Sequence, residues 1–598
     1  MFRFGSGSYV GAHFGHDASV CIMPGAAAIT ETDILLKERF TRIKHDTGHL
    51  DILALLIPGG LIVRKDRVAG NPSLWEPLIG PSAAAVRDML KSYDGFVELA
   101  GTPFLSPTYP HARRLTHHYC HARAAVALSP FENALVLVND GSGDLRSAFP
   151  PDHEEILKFS RATRASPGEA AEFYTVYRQS GSRLDCVMKE WQNPGNVYDL
   201  IDGPGFRGRR SMGVFYYGSS LYVFNAPWQE GKVMGLAAYG HPEALKIGRK
   251  EDFFIKLGRE KRFLGRGKRE WENSGRFEHY ADVAAAVQGY FEKWLLELAA
   301  DLKRRFPEEE NLILTGGCAL NCAANMKLAE AGLFSSIYVP PFPGDDSIAF
   351  GAASGLRYGE FGEPWRPLSW ESQTASFGSA KSAPEEKACR KVFQGWETRR
   401  LNDPAAAAAW LAKGKIIAWF QGRSESGPRA LGCRSLLADP SRPGMKDRLN
   451  GFVKGRESFR PYGCSVIWEE AAEYFDVPRG FESPFMSFTP RVREPYRDRL
   501  KEIVHADGTS RIQTVRLSQN PLFYRLLEEM KRRTGVGCVL NTSLNVMGEP
   551  IVETLADLRR FLEKTPVDAA VAGNLLIINR SALGPDEESG RLIRRAQK

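Results

Sequence analysis

The chain has 598 residues, 43% of them hydrophobic and 25% charged, and a formal net charge of +8. That length exceeds one ordinary core, so two or more domains are expected, and the composition excludes a fibrous or disordered chain. The positive charge is spread along the sequence, which suits anionic small molecules and does not by itself argue for nucleic acid.

Read in chain order, "SYVGAHFGHDASVCIM" (8–23) predicts strand, turn, strand, with "GHDAS" as a polar cluster in the turn. A His beside an Asp, as at His16 and Asp17, is either a general base with its carboxylate or a capped turn. "KERFTRIKHD" (37–46) supplies Arg39, Arg42, Lys44 and His45, an anion clamp or an ordinary charged face. "HHYCH" (117–121) sets His117 and His121 four apart, on one face if the segment is helical. "ALVLVNDGSGD" (134–144) reads as a buried strand ending in an acidic turn. "EGKVMGLAAYG" (230–240) offers a close backbone approach with Lys232 as a point charge. The charge run at 258–276 reads as a solvated basic loop or helix end. "NLILTGGCALNCAANMKLAEAG" (311–332) is a strand, a double glycine and a helix, and "SSIYVPPFPGDDSIAFGAASGL" (335–356) repeats that shape. Buried strands ending in Gly/Asp turns before helices predict an α/β fold.

Residues 366–389 are rich in Ser, Ala and Pro and read as a linker between a domain at 1–365 and a second at 390–598, whose charged tail frays. In the second domain "KIIAWF", "VGCVLNTSLN" and "LLIIN" read as strands, and "TLADLRRFLEKT" as a helix.

Nine cysteines, an odd and sparse number without paired CxxC motifs, exclude a zinc ribbon and fit a reducing cytoplasm. Cys318 and Cys322 are expected to pack rather than ligate. The first residues lack a signal-peptide core, and the absence of an 18-residue apolar run predicts that nothing spans a membrane.

Two constellations carry chemistry. Asp140 and Asp345 sit at expected strand ends, where open α/β sheets bind ligands, and with His117 and His121 they make a donor set suited to Fe²⁺, Mn²⁺ or Zn²⁺. Spacing alone leaves Asp144 and Asp346 as alternatives, and HxxxH also arises by accident. Gly316 and Gly317, with Asn321 and Asn325, offer backbone N–H groups and a helix start to a phosphate. The second constellation is residues 421–463, which carry Arg423, Arg429, Arg434, Arg442, Lys446, Arg448, Lys454, Arg456 and Arg460 against four acidic residues. Arginine forks in a Gly/Pro-rich context predict an anion site. In a strand, Lys454 and Arg456 would point to one side, as would Ser543 and Asn545.

Nearly the whole chain resembles the NodU/CmcH-type carbamoyltransferases. The motifs "HDAS", "ERFTRIKHD", "HHYCHARAAVA", "GKVMGLAAYG", "TGGCALNCAAN", "GDDSIAFGAA", "GPRALGCRSLLADP", "KGRESFRPYG" and "NTSLNVMGEPIV" follow that family's order. The resemblance implies an N-terminal Kae1-like domain with an actin/Hsp70-like duplicated core and a C-terminal YrdC-like domain. It implies ATP and carbamoyl phosphate as substrates, a carbamoyl adenylate intermediate, and transfer to a hydroxyl or amine of a small-molecule natural product, in secondary metabolism such as antibiotic biosynthesis. It implies an iron-type metal on His117, His121, Asp140 and Asp345. It assigns activation to Lys454, Arg456, Ser543 and Asn545, and phosphate contacts to Arg423, Arg429 and Arg460. Gly316, Gly317 and Asn321 are expected along the nucleotide, and His16 is the candidate base. A homodimer is one expected assembly; a nucleic-acid partner and a membrane are not expected.

Two positions depart from the family pattern: Lys37 precedes Glu38 where two acids are usual, and Asn139 replaces a more apolar residue. Rival readings are a tRNA threonylcarbamoylation enzyme, a nucleotide- or RNA-binding protein with lost chemistry, and a sugar kinase. Hydrogenase-maturation carbamoyltransferases carry the same domain types in the opposite order, after CxxC repeats that this chain lacks.

Overall fold

The structure is a computed structural model that describes residues 8–13, 17–24, 28–36, 95–99, 112–146, 170–192, 211–224, 228–245, 275–378 and 383–580, with Glu38, Arg39, Arg42, Lys44, Phe149 and Ala226 as single positions. His16, Lys37, His45, most of the basic run at 258–276 and the charged tail lie outside the described residues. The chain divides into two compact units, Met1–Gln373 and Thr374–Lys598. Both are mixed α/β.

Among the described residues, the first unit holds two five-stranded sheets. Strands β1 (Ser8–His13), β2 (Ser19–Pro24), β3 (Asp33–Leu36), β4 (Gly95–Leu99) and β5 (Ala112–Leu115) lie in the order β3-β2-β1-β4-β5. The second sheet is formed by β6 (Asn133–Asn139), β7 (Ala171–Ser180), β8 (Arg183–Gln192), β9 (Asn311–Thr315) and β10 (Ser336–Tyr338), in the order β8-β7-β6-β9-β10. The directions match as well as the order. In each sheet the first three strands in sequence pair antiparallel, and the next two add in parallel on the other side of the first. One topology is therefore used twice, although the sequence shows no short-period repeat.

The β6 strand shows why the second sheet centres on it. Its run "ALVLVN" is buried at every position, as expected of a strand covered on both faces. Helix α1 (His117–Leu128) follows β5 directly. Helices α2 (Met212–Phe224), α3 (Glu230–Ala237) and α4 (Phe277–Arg305) pack with one another, and α5 (Cys322–Glu330) packs on α4. Asn321 caps α5 by accepting the Ala324 N–H at 3.0 Å. Helix α6 (Ile348–Ser354) lies against β1, β2 and α1. Glycine permits this closeness: a methyl group at Gly351 would overlap the Cys120 carbonyl of α1, and one at Gly11 would overlap the Ala349 carbonyl of α6.

The second unit is built on an eight-stranded mixed sheet. Its strands are β11 (Glu397–Arg400), β12 (Ile417–Phe420), β13 (Arg434–Ala438), β14 (Gly463–Ile467), β15 (Ile512–Val515), β16 (Cys538–Ser543), β17 (Ala569–Ala572) and β18 (Leu575–Ile578), ordered β11-β18-β17-β12-β13-β16-β14-β15. Helix α7 (Pro521–Thr534) buries Phe523, Leu526, Leu527 and Met530, one face at helical spacing, in a core with Trp419, Leu437, Val539 and Val571. Asn520 caps its start and left-handed Gly535 ends it. Helix α8 (Leu555–Lys564) opens with a Thr554/Asp557 capping box.

The expected strands at 8–23, 134–139, 311–315, 417–420, 538–543 and 575–578 and the helix near 554–565 are present. The stretch 366–389 carries structure of its own. Trp370–Ser372 forms a 3₁₀ turn, Gln373 donates to the Leu128 carbonyl at 2.9 Å, and Glu386–Val392 is helical. All nine cysteines are free, and Cys322 packs against Met234 at 3.7 Å between sulfurs. Among the described residues no helix is long and apolar enough to cross a membrane.

Gly351→Ala is predicted to destabilise the first unit by ~1–3 kcal/mol through overpacking of α6 on α1. Urea unfolding measures this; an unchanged midpoint would contradict the packing described.

Candidate active site

Four side chains from three distant segments converge in the first unit. His117 and His121 lie one turn apart on α1, Asp140 follows β6, and Asp345 opens the 3₁₀ turn (Asp345–Ser347) that leads into α6. One donor atom from each lies within 4.8 Å of all the others. His117 Nε2 is 3.0 Å from Asp140 Oδ2, 3.1 Å from His121 Nε2 and 3.5 Å from Asp345 Oδ1. His121 Nε2 is 3.5 Å from Asp345 Oδ1 and 3.7 Å from Asp140 Oδ2. Ser347 Oγ sits 3.1 Å from His121 Nδ1, and the Gly317 N–H donates to Asp140 Oδ1 at 2.8 Å, so the outer atoms of the ring and the carboxylate are held.

The electrostatics of this cluster favour positive charge. Burial pulls the His117 imidazole down, but Asp345 and Asp140 outweigh it and hold His117 well above the ordinary imidazole range. His121 is raised for the same reasons. Burial and Asp345 push Asp140 up, and the two imidazoles outweigh them, leaving it below the usual carboxylate range. Two imidazoles and two carboxylates, mostly buried, with their inner atoms aimed at one point, fit a borderline divalent ion.

Of the alternative ligands, neither joins the group. Asp144 turns its carboxylate to the start of α1, accepting the His117 N–H at 2.8 Å. Asp346 is pushed up to about 8, first by burial and then by the charges of Asp17, Asp345 and Glu38. His13, at the end of β1, was not singled out in the sequence; its Nε2 lies 3.9 Å from Asp345 Oδ2, and its presence in the same "AHFGHD" motif as His16 was the available signal.

The glycine turn beside the cluster is tightly built. Gly316 has φ of +85°, and a methyl group there would overlap the Asn139 carbonyl. Asn321 is committed elsewhere: its amide pairs reciprocally with Gln288 at 2.9 and 3.0 Å while capping α5. Asn325 donates to the Ala319 carbonyl at 2.8 Å. Lys232 sits on α3 with its ammonium 5.4 Å from the Phe224 ring centre.

In the second unit Lys454 is buried and donates to Asn545 Oδ1 at 2.8 Å, to Ser543 Oγ at 3.3 Å and to the Ser543 carbonyl. Ser543 Oγ donates to Asn545 Oδ1 at 2.7 Å. The strand that would set Lys454 and Arg456 on one side is not formed here: Lys454 ends a π-helical turn (Leu449–Lys454) and Gly455 is left-handed, with φ of +62°. That turn sends Lys454 to Ser543 and Asn545, and Arg456 to Asn450 Oδ1 at 2.7 Å with its guanidinium 4.4 Å from the Tyr462 ring centre.

The arginine-rich stretch separates into two roles. Arg434 is fully buried, donates to the Gln421, Cys433 and Gly422 carbonyls at 2.7, 3.1 and 3.2 Å, and stacks on Phe420. Arg448 pairs with Asp568 at 2.8 Å and Arg442 with Asp439 at 3.2 Å. These three hold the fold. Arg456 and Arg460 crowd together instead: burial, then the charge of Arg456, pushes Arg460 down to about 10, with Glu457 3.9 Å away. Arg511, just before β15, adds its charge to both and was not singled out in the sequence, where it stands apart from the cluster. Arg423 donates to the Gly378 carbonyl at 2.8 Å. Arg429 rides on a loop pinned by Glu425, which accepts the Leu431 and Cys433 N–H groups at 2.7 Å and that of Arg434 at 3.3 Å. The loop ends beside Ser543, because the Leu544 N–H donates to the Arg434 carbonyl at 2.9 Å.

The profile described as "Carbamoyltransferase N-terminus" matches residues 107–354, and that described as "Carbamoyltransferase C-terminus" matches residues 408–579. Nodulation protein NolO of Bradyrhizobium diazoefficiens is 33% identical over 486 residues, covering 78% of this chain and 79% of that one. The chain belongs to the NodU/CmcH carbamoyltransferase family. Another relative of this carbamoyltransferase is the 3'-hydroxymethylcephem-O-carbamoyltransferase of Streptomyces clavuligerus, 35% identical over 303 residues, or 50% of this chain and 55% of that one. A solved structure of full-length HypF in the phosphate- and nucleotide-bound form aligns with 60% of this chain and 47% of that one, at 14% identity and a TM-score of 0.36.

Glu425→Ala is predicted to cost the carbamoyltransferase ~2–3 kcal/mol, because it strips the acceptor from three backbone N–H groups in a buried loop. Denaturant unfolding followed at Trp419 tests this; a loss below ~0.5 kcal/mol would contradict it.

Proposed function

We propose that this carbamoyltransferase works in two steps, with activation in the second unit and transfer in the first, and that the two units are YrdC-like and actin/Hsp70-like (Kae1-like). The twice-used strand order supports the latter likeness. The observation that carries the proposal is the convergence of His117, His121, Asp140 and Asp345, separated by up to 228 positions in the chain, on one point.

In the activation step carbamoyl phosphate loses phosphate to water, and the carbamate oxygen then attacks the α-phosphorus of ATP. The bond to pyrophosphate breaks and carbamoyl adenylate remains. Arg456, Arg460 and Arg423 or Arg429 neutralise the anionic oxygens, a task for which partly buried guanidiniums suit better than hydrated ammonium groups. Lys454, already bonded to Ser543 and Asn545, supplies a point charge fixed by its partners before substrate arrives. In the transfer step an acceptor oxygen attacks the carbamoyl carbon, the bond to the AMP phosphate breaks, and the acceptor proton goes to a base. His16 is proposed for that base. Gly316 and Gly317 border the nucleotide with backbone, whereas Asn321 serves the turn rather than the nucleotide, since its amide is taken by Gln288 and α5. Lys232 is proposed to reach the phosphate. His117, His121, Asp140 and Asp345 would hold a divalent ion, Fe²⁺ with Mn²⁺ or Zn²⁺ as alternatives. When bound, that ion supplies Lewis-acid stabilisation of charge on the departing phosphate.

The acceptor class is a small-molecule hydroxyl, on the analogy of the cephem O-carbamoyltransferase relatives, and the setting is secondary metabolism. Nine free cysteines support a reducing, cytoplasmic location.

Lys454→Ala is predicted to abolish carbamoyl-phosphate-dependent pyrophosphate release from ATP, measured without acceptor. His117→Ala is predicted to retain that release within about threefold and to lose transfer by a hundredfold or more, within the range for loss of preorganised charge stabilisation. Normal release by Lys454→Ala would overturn the assignment of activation to the second unit. Release supported by threonine and bicarbonate in place of carbamoyl phosphate would overturn the donor.

A further inference from the structure

The four donors need their carriers held in register, and the segment that holds two of them lies behind the site. Glu172, at the start of β7, is fully buried, as is its partner Lys189 from β8. The ammonium meets Glu172 Oε1 at 2.5 Å and lies 5.0 and 5.2 Å from the ring centres of Phe149 and Trp191. The other carboxylate oxygen, Oε2, accepts the Asp144 N–H at 3.0 Å and the His118 N–H at 3.4 Å. The Glu172 backbone joins in: its N–H donates to the Asp144 carbonyl at 3.1 Å and its carbonyl accepts the Gly143 N–H at 3.2 Å. Asp144 in turn accepts the His117 N–H at 2.8 Å. One carboxylate thus grips both the turn that carries Asp140 and the first turn of α1, which carries His117. Position 143 leaves no slack, since a methyl group there would overlap Glu172 Oε2 and crowd His118.

We propose that the acceptor side chain of Glu172, buried against Lys189, is the positioning element that sets the spacing between Asp140 and His117, and so the metal affinity of the centre, without touching metal or substrate. The inference rests on the metal-centre reading of the four donors. A carboxylate offers two oxygens and about four acceptor directions, enough to take an ammonium on one side and two diverging N–H groups on the other. A buried ion pair gains little net stability over an apolar pair of similar volume, so the pair can be exchanged with the fold kept. Loss of partners that orient metal ligands costs 10–100-fold in affinity.

The test uses the full chain and Co²⁺, with affinity from chelator competition and coordination from the ligand-field absorption spectrum. Glu172→Met/Lys189→Met removes acceptor and charges together. Glu172→Gln/Lys189→Met removes the charges but keeps a carbonyl acceptor. Gly143→Ala leaves both charges and displaces the carboxylate. The first and third variants are expected to bind Co²⁺ at least tenfold more weakly, with a changed spectrum, and the second to recover to within about threefold of the unaltered protein. Unaltered affinity and spectrum in Gly143→Ala, or in Glu172→Met/Lys189→Met, would overturn the inference, as would equal loss in the two double variants. If either double variant fails to fold, Gly143→Ala decides alone. Absence of Co²⁺ binding by the unaltered protein would overturn the metal-centre reading and this inference with it, whereas tight binding that no variant alters overturns the inference alone.

Discussion

Two carboxylates and two imidazoles share one mostly buried point in the first unit, and much of that unit can be understood as the means of bringing them there. Such a cluster is costly without compensating positive charge, because burial disfavours every ionised carboxylate and the acids repel one another. The fold delivers the donors from the first turns of α1, the end of β6 and the turn before α6. Close helix contact through Gly351 and close strand contact through Gly11 bring α6, and hence Asp345, against α1 and β1. The Gly317 N–H then fixes the outer oxygen of Asp140.

The second unit solves a different problem, the gathering of like positive charges. Arg434, Arg442 and Arg448 are neutralised by carbonyls or carboxylates and act as struts. Lys454, Arg456 and Arg460 are placed by a left-handed glycine and a polar wall of buried Asn450 and half-buried Ser543 and Asn545. Burial, and after it the charge of neighbouring guanidiniums, lowers the proton affinity of Arg456 and Arg460.

The sequence made much of this legible, and the failures are instructive. A four-residue histidine spacing is meaningful on a helix, and α1 is one. Asp140 and Asp345 could not be separated from Asp144 and Asp346 by pattern, because the choice depends on which carboxylate turns inward, which is spent on the His117 N–H and which is kept from ionising by burial and neighbouring acids. Alternation failed for Lys454 and Arg456 because Gly455 permits a conformation that period-two reasoning does not consider. Asn321 reads as a phosphate contact beside two glycines, yet Gln288, 33 positions earlier, claims its amide. Glu172 and Lys189 look like ordinary strand charges; their burial follows only from the pairing of β7 with β8 and from the aromatic rings over the ammonium. The duplicated sheet is a repeat of topology, which no spacing of residue types records.

X-ray absorption at the metal edge of the full-length, metal-reconstituted enzyme tests the central claim most directly. The account predicts one ion per chain, two imidazoles and further oxygen donors, at ~2.0–2.2 Å when the ion is Zn²⁺, and no sulfur. Failure to retain an ion, or a sulfur shell near ~2.3 Å, would contradict it.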